Sequence, residues 1–473
     1  MQKKCNRRLL FLVPFVLVLV ALISCSIQGC ANQPQDNPDL LEGEEDLTNN
    51  NNPDDNIPGE VVSSGLSMIL YDNLEGYFVS GKGSCQDVDI IIPQSLDGYP
   101  VIGISDNAFK NDPFIESIFI PETIVCIEKY AFLGCGSLSQ VTFGSESNLR
   151  VIGEKVFSRC EKLELISLPD GIEEIQLEAF SGCNSLISIV FPDTLFKVGR
   201  NAFEETIWWE EQEAGVVYAG KVVCGYKYIT NNPSISLVVE EGCVAIADYA
   251  FFENSKLVSI FLPRSIMNIG YAAFSGCENL NSITVDTDNS RYYASNNCLI
   301  QIKEEGNELI LGVGGSIILP DSVHTISDYA FYNCVQTTTI VIPEEVSYIG
   351  KAAFKNCLIL SNLELPQNLE YISEQTFYSC SSLESIFLPS SILEIKASAF
   401  SGCTNLTTIF INSNEIVFGL TGISAEGNIL QNSKVIYINK SLTYSYGAYL
   451  LGHFSKEDIS EYQDYHKYSI ILQ

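Results

Sequence analysis

One stretch constrains this chain more than any other. Between Cys334 and Cys403 the same phrase is written three times. Cys334, Cys357, Cys380 and Cys403 are each 23 residues apart. The cleanest copy, SLESIFLPSSILEIKASAFSGC from Ser382 to Cys403, has the skeleton L-x-x-I-x-L-P, then I-x-x-I, then A-F-x-x-C. A fixed period in the twenties marks a solenoid, in which each copy is one coil that buries its apolar side against its neighbours. Length alone would suggest two or three domains for 473 residues, but a solenoid grows by adding coils to a continuous core.

The phenylalanine of the A-F pair recurs at Phe109, Phe132, Phe157, Phe180 and Phe203, again at Phe251 and Phe274, and again at Phe331, Phe354, Phe377 and Phe400. Within a coil, Ile386 and Leu388 are two apart and face inward on a strand, with Phe387 outward. Pro389 has no N–H to donate and ends that ladder. Ile392 and Ile395 turn inward on the return leg. Ala399, Phe400 and Cys403 stand at helical spacing and predict a single helical turn with Phe400 in the core. Two steps are too long, 48 residues after Phe203 and 57 after Phe274, which places insertions near 206–235 and 286–315. Val216 to Val223 reads as a hairpin, and Cys298 to Ile302 and Glu308 to Leu311 read as strands. Such insertions either protrude from one face or extend the sheet as hairpins.

The L-x-x-I-x-L-P…I-x-x-I-x-x-x-A-F-x-x-C pattern resembles the BspA-type leucine-rich repeats of bacterial surface proteins, over roughly residues 100 to 411. The resemblance implies a right-handed leucine-rich-repeat solenoid with a parallel β-sheet on one side. It also implies surface display and a role in adhesion or host-protein binding.

Outside the repeats, residues 1–25 read as an export signal. Lys3, Lys4, Arg7 and Arg8 precede an apolar run too short for a comfortable membrane span. It ends Leu22-Ile23-Ser24-Cys25, which resembles the bacterial lipobox and makes Cys25 the expected lipidation site, with Cys30 a poorer second candidate. Residues 26–60 are too polar to offset their ordering entropy and read as a disordered acidic tether. Residues 61–101 are strand-rich, as expected of a cap over the first coil, and 412–473 read as a C-terminal cap containing a last strand at Val435 to Ile438 and a Tyr-rich, helix-compatible segment from Ser441 to Leu451.

Composition narrows the function. With 26 basic and 58 acidic residues the formal charge is −32, and loss of the four signal-segment cations makes it 22 − 58 = −36. Nucleic acid and anionic lipid surfaces are excluded as partners, since both demand clustered Lys and Arg; contact with a membrane is expected only through the lipid. Of sixteen cysteines, Cys135, Cys160, Cys183, Cys277, Cys334, Cys357, Cys380 and Cys403 share one place in the repeat and read as a buried thiol ladder, because parallel side chains are poorly oriented for disulfides. Three histidines (His324, His453, His466), no H-E-x-x-H, no phosphate loop and no nucleophile elbow leave no expected catalytic residue, metal or cofactor. Asp286, Asp288 and Ser290 begin like a calcium loop, but Arg291 stands where the turn needs glycine. No enzyme is expected.

The outward strand residues are Phe119, Thr142, Ser167, Val190, Phe261, Thr284, Val341, Glu364, Phe387 and Phe410, beside a row of Ser and Thr. Stacked in register they form an apolar stripe on an acidic protein. Such a stripe serves either as a contact surface or as cross-strand pairing that stabilises the sheet. Phe261, Phe387 and Phe410 are the first candidates for partner contact. Trp208 and Trp209, the only tryptophans, are further candidates in the first insertion. The expected function is a lipid-anchored, cell-surface repeat protein that binds a host or neighbouring-cell protein. A glycan-binding module and a structural envelope spacer are the alternatives.

Overall fold

The structure, a computed structural model, describes residues 62–71, 74–228, 234–406 and 408–411, together with strands Val417–Phe418, Val435–Asn439, Ile459–Tyr462 and Tyr465–Ser469. The expected signal segment, Cys25, Cys30, the acidic tether and the Ser441–Leu451 segment lie outside the described residues. The chain divides into two compact units, with the boundary between Gln212 and Glu213.

Each unit is a β-solenoid, and each regular coil contributes two short strands to two parallel ladders. In the first unit the longer strands pair as Asp89–Ile91, Ser117–Ile120 and Gln140–Phe143, and as Leu165–Ser167 with Ser188–Val190. Ile90, Ile118 and Ile166 are buried between exposed or half-buried neighbours, as a strand with one covered face requires. The I-x-x-I leg supplies a second ladder of two-residue strands, Val151–Ile152, Glu174–Ile175 and Lys197–Val198. The second unit repeats the arrangement, with Ile235–Val238, Leu257–Leu262 and Ser282–Val285 in one long-strand ladder and Ser385–Leu388, Thr408–Ile411 and Val435–Asn439 in another. The parallel sheet of the expected fold is therefore joined by a second, narrower one on the return leg.

The corner holding A-F-x-x-C is where the expected helical turn is corrected. At all eleven signatures the residues two before and two after the phenylalanine are left-handed: Asn107 and Asn111, Lys155 and Arg159, Tyr329 and Asn333, Ser398 and Gly402 among them. A left-handed residue on either side prevents propagation of a right-handed helix. What it achieves is to turn alternate N–H groups along the solenoid. Tyr130, Phe132 and Gly134 donate to Glu154, Val156 and Ser158 of the next coil at 2.9, 3.0 and 2.8 Å. Ala352, Phe354 and Asn356 do the same to Glu374, Thr376 and Tyr378 at 2.9, 2.9 and 2.8 Å. Among the described residues the only α-helix is Ile207–Glu210.

The phenylalanines fill the space inside these corners. In the first unit Phe109, Phe132, Phe157, Phe180 and Phe203 form a near-parallel stack with centroids 5.2, 5.4, 5.6 and 6.0 Å apart. In the second unit Phe251 stacks on Phe274 at 5.4 Å, and Phe331, Phe354, Phe377 and Phe400 stack at 5.3, 5.4 and 5.2 Å. Burying each ring contributes about 2–3 kcal/mol, and the offset stacking adds to that.

Among the described residues the first insertion forms a hairpin and the second a meander, and the last strand of each enters the narrow ladder. Gly215–Ala219 pairs antiparallel with Val222–Lys227, which pairs parallel with Ala245–Ile246. Tyr292–Ser295, Cys298–Gln301 and Asn307–Gly312 form an antiparallel meander whose last strand pairs parallel with Val323–Ile326. Leu299 and Leu311 pack in one core cluster with Phe274, while Cys298, Ile300 and Leu309 pack in another with Phe331. The meander is thus a layer inside the second unit, buried on both faces. Gly312 takes the place of a corner phenylalanine: its N–H donates to Ala330 O at 2.9 Å, and the Phe331 ring occupies the space a Cβ would need. The strand-rich N-terminal region uses the same device, with Ser67–Tyr71 antiparallel to Gly76–Gly81, and the latter parallel to Tyr99–Ile104.

The corners predict an inverted preference at Arg159, which is exposed with φ 60° and donates to Ser181 O at 2.8 Å. Arg159→Gly should be neutral to stabilising by up to about 1 kcal/mol, and Arg159→Val destabilising by roughly 1–2 kcal/mol, in urea unfolding. Equal stability of the two variants would contradict the corner geometry.

Candidate functional site

The outward faces of the long-strand ladders are built by alternation. The central inward residue of each long strand brings its successor to the outer face, and parallel in-register pairing aligns those successors from coil to coil. In the first unit Ser167 lies beside Val190. In the second, Phe261 lies between Val238 and Thr284, Val341 lies beside Ile318, and Phe387 lies beside Phe410, with the two rings 6.1 Å apart. Val190, Val238, Ile318, Val341 and Phe387 keep between 40% and 61% of their surface in water. Phe261 and Phe410 are half-buried. The structure therefore brings Phe387 and Phe410 together and sets Phe261 in a different three-stranded ladder.

Val238 and Ile318 were not among the outward residues read from the sequence. Their strands, Ile235–Val238 and Ser316–Ile318, fall inside or just beyond the interruptions, where no A-F signature marks the register. Leu165 and Ile187 widen the apolar strip of the first unit at positions where most coils carry Ser or Glu. The hydroxyl row is tied into the sheet: Ser117 Oγ donates to Asp89 Oδ1 at 2.6 Å, and Thr339 Oγ1 donates to Ser316 Oγ at 3.1 Å.

The two tryptophans have structural neighbours. Thr206 caps the short helix by accepting from Trp209 N at 3.1 Å, and Trp208 lies edge-on to Phe203 at 4.8 Å and to Phe191 at 5.5 Å. Trp208 thereby closes the last ring of the first unit's stack. Both tryptophans are half-buried.

The cysteine ladder is made of free thiols. Each reaches back one coil: Cys160 Sγ donates to Phe132 O at 3.4 Å, Cys183 to Phe157 O at 3.0 Å, Cys380 to Phe354 O at 3.1 Å and Cys403 to Phe377 O at 2.9 Å. Cys334 bonds Gly312 O at 3.0 Å, again treating Gly312 as a phenylalanine. Burial pushes the thiols of Cys183, Cys277 and Cys403 up from the ordinary value to about 12. It pushes Cys160, Cys357 and Cys380 well above that ordinary value too. They stay protonated at neutral pH and are poor nucleophiles. Among the described residues no group of three His, Cys, Asp or Glu side chains is placed to hold a metal ion. Asp286 accepts from Asp288 N at 2.9 Å, and Asn289 donates to Pro263 O and Ile266 O, so that segment works as a turn.

Residues 102–211, 225–304 and 315–421 match the family described as BspA type Leucine rich repeat region, in six copies. The chain belongs to that family. Among solved structures, a leucine rich cell surface protein from Faecalibacterium prausnitzii is similar at 23% identity, over 77% of this chain and 95% of its own, with a TM-score of 0.37. The pneumococcal vaccine antigen PcpA is similar at 19% identity over 81% and 95%, with a TM-score of 0.38. A leucine-rich repeat protein from Eubacterium ventriosum is similar at 18% identity over 80% and 93%, with a TM-score of 0.36. A search of curated proteins finds no match. In BspA-type terms, the cysteine and phenylalanine of this chain's repeats form the interior corner, and the residue between the two inward strand apolars forms the outer face.

The thiol ladder gives a chemical prediction. At pH 8, Cys160, Cys183, Cys357 and Cys380 of the folded protein should resist iodoacetamide and react fully in guanidinium, read by peptide mass spectrometry. Because folding raises these pKa values, the stability linked to them is complete below the ordinary thiol value near 9 and is lost as pH rises above it, through about 12 for Cys183. The thermal midpoint should fall across that window. Alkylation in the folded state would contradict the buried, hydrogen-bonded ladder.

Proposed function

We propose that this BspA-type repeat protein is displayed on a bacterial cell surface, held by a lipid on Cys25, and binds a host or neighbouring-cell protein along the outer face of its long-strand ladders. One observation carries the reading. In the second unit the apolar side chains of Val238, Ile318, Val341 and Phe387, and in the first unit that of Val190, stay open to water on a chain whose formal charge is −32. Exposed apolar side chains on a strand face mark contact sites, and a regular array of parallel strands offers the shallow area a protein partner needs. Aromatic residues such as Phe387 and Phe410 supply anchors, and the neighbouring hydroxyls supply a polar rim. Acidic surface elsewhere keeps the chain soluble and steers it away from anionic lipid.

Two measurements test the reading separately. Phe261, Phe387 and Phe410 changed together to Ser should abolish pull-down of host surface proteins while leaving the melting curve within a few degrees. Retention of every captured protein would remove the outer face from consideration. Cys25→Ala should move the protein from the membrane fraction to the soluble fraction, and continued membrane fractionation would exclude that anchor.

A further inference from the structure

We propose that the corner surface around Tyr271 in the second unit is a binding platform for neutral carbohydrate. This site is separate from the outer strand face and does not rest on it. Five rings meet there, from three coils. Tyr249 lies 5.1 Å from Phe252 and 5.6 Å from Tyr271. Tyr329 lies 5.9 Å from Tyr271 and 5.6 Å from Tyr332, both edge-on. Phe252 and Tyr332 are stacked at 5.6 Å although 80 residues separate them in the chain.

The floor explains the meeting. The coil of Phe274 carries Ala272 and Ser275 where its neighbours carry rings, and Gly276 where they carry Glu253 and Asn333; the Tyr332 ring lies 3.1 Å from where a Cβ on Gly276 would stand. Tyr249 and Tyr329 are left-handed, at φ 57° and 58°. That conformation is costly for an aromatic residue, and the equivalent places in later coils hold Ala352 and Ser398.

The rings are held rigid by polar contacts at their edges. Tyr271 Oη donates to Asp328 Oδ2 at 3.0 Å, and Tyr332 Oη donates to Glu253 Oε1 at 2.6 Å. Asp248 accepts from Tyr271 N at 2.8 Å, and Asp328 also accepts from Lys351 N at 2.7 Å. Tyr271 is 44% exposed, and Tyr249, Phe252, Tyr329 and Tyr332 are half-buried.

A sugar ring has an apolar C–H face and a rim of hydroxyls, so it needs aromatic faces beside hydrogen-bond acceptors. This surface supplies both, five rings with carboxylates at their edges. Asp248, Glu253 and Asp328 disfavour phosphate, sulfate and uronate groups. Lys355, over the Tyr332 ring at 5.9 Å, disfavours a cationic ligand. What remains is an uncharged, polyhydroxylated partner.

The test is native-gel affinity electrophoresis of the full chain in gels containing soluble β-glucan, mannan or galactan, with poly-lysine as the cationic control. Retardation by at least one neutral polysaccharide is expected. Tyr271→Ala and Tyr329→Ala should each weaken it about tenfold or more, and Tyr271→Phe should retain most of it. The triple Phe261, Phe387 and Phe410 to Ser variant should be retarded like the parent, which distinguishes this site from the strand face. Circular dichroism melts establish that the Tyr271 and Tyr329 variants fold. No retardation in any neutral gel, undiminished retardation of both alanine variants, or binding to poly-lysine alone would overturn the proposal.

Discussion

Backbone hydrogen bonds that run from coil to coil at the A-F corner are the constraint on which the rest of this structure depends. A polypeptide turning a corner must satisfy every buried N–H and C=O. Here left-handed residues on both sides of the phenylalanine aim three alternate N–H groups at the next coil. The residue before the phenylalanine supplies one of the acceptors and packs at the buried corner. Alanine fits there, and Thr376 is tolerated because its hydroxyl donates to Ser373 O at 2.8 Å. The phenylalanine carbonyl in turn accepts from a backbone N–H of its own coil and from the thiol of the following coil. Core filling, thiol chemistry and inter-coil pairing are thus one arrangement seen from three sides.

Much of this was legible in the chain because period and polarity suffice to define it. The 23-residue spacing located the corner phenylalanines, and the I-x-L alternation gave the outward face of each strand. The helical turn was misread for a physical reason: Ala399, Phe400 and Cys403 have the offsets of a helix face, but a pair of tight turns also closes i to i+3, as Cys403 N does on Phe400 O. Left-handed positions betray themselves when they hold Asn or Gly and are invisible when they hold Lys155, Glu178 or Tyr249. The aromatic corner was hidden differently. Tyr271 and Tyr332 belong to coils with an insertion between them, and only stacking of the coils brings their rings to one surface.

The interruptions have an economical explanation in the same terms. A solenoid's first coil exposes an apolar side and an unpaired ladder edge, both of which must be covered. Hairpins ending at Gly81, Lys227 and Gly312 each feed their last strand in parallel to the narrow ladder. The first lies at the start of the first unit, the second opens the second unit, and the third is built into its interior. Consecutive buried residues such as Val222 and Val223, or Cys298 to Ile300, signal this role, since a strand covered on both faces carries no polar alternation.

The central claim is that the corner amides are spent on neighbouring coils. Native-state hydrogen exchange of the Phe132, Phe157, Phe354 and Phe377 amides measures it most directly. Protection close to that of the global unfolding reaction is the predicted result. Exchange as fast as that of exposed turn amides would mean that successive coils are not joined at their corners, and the account would fail.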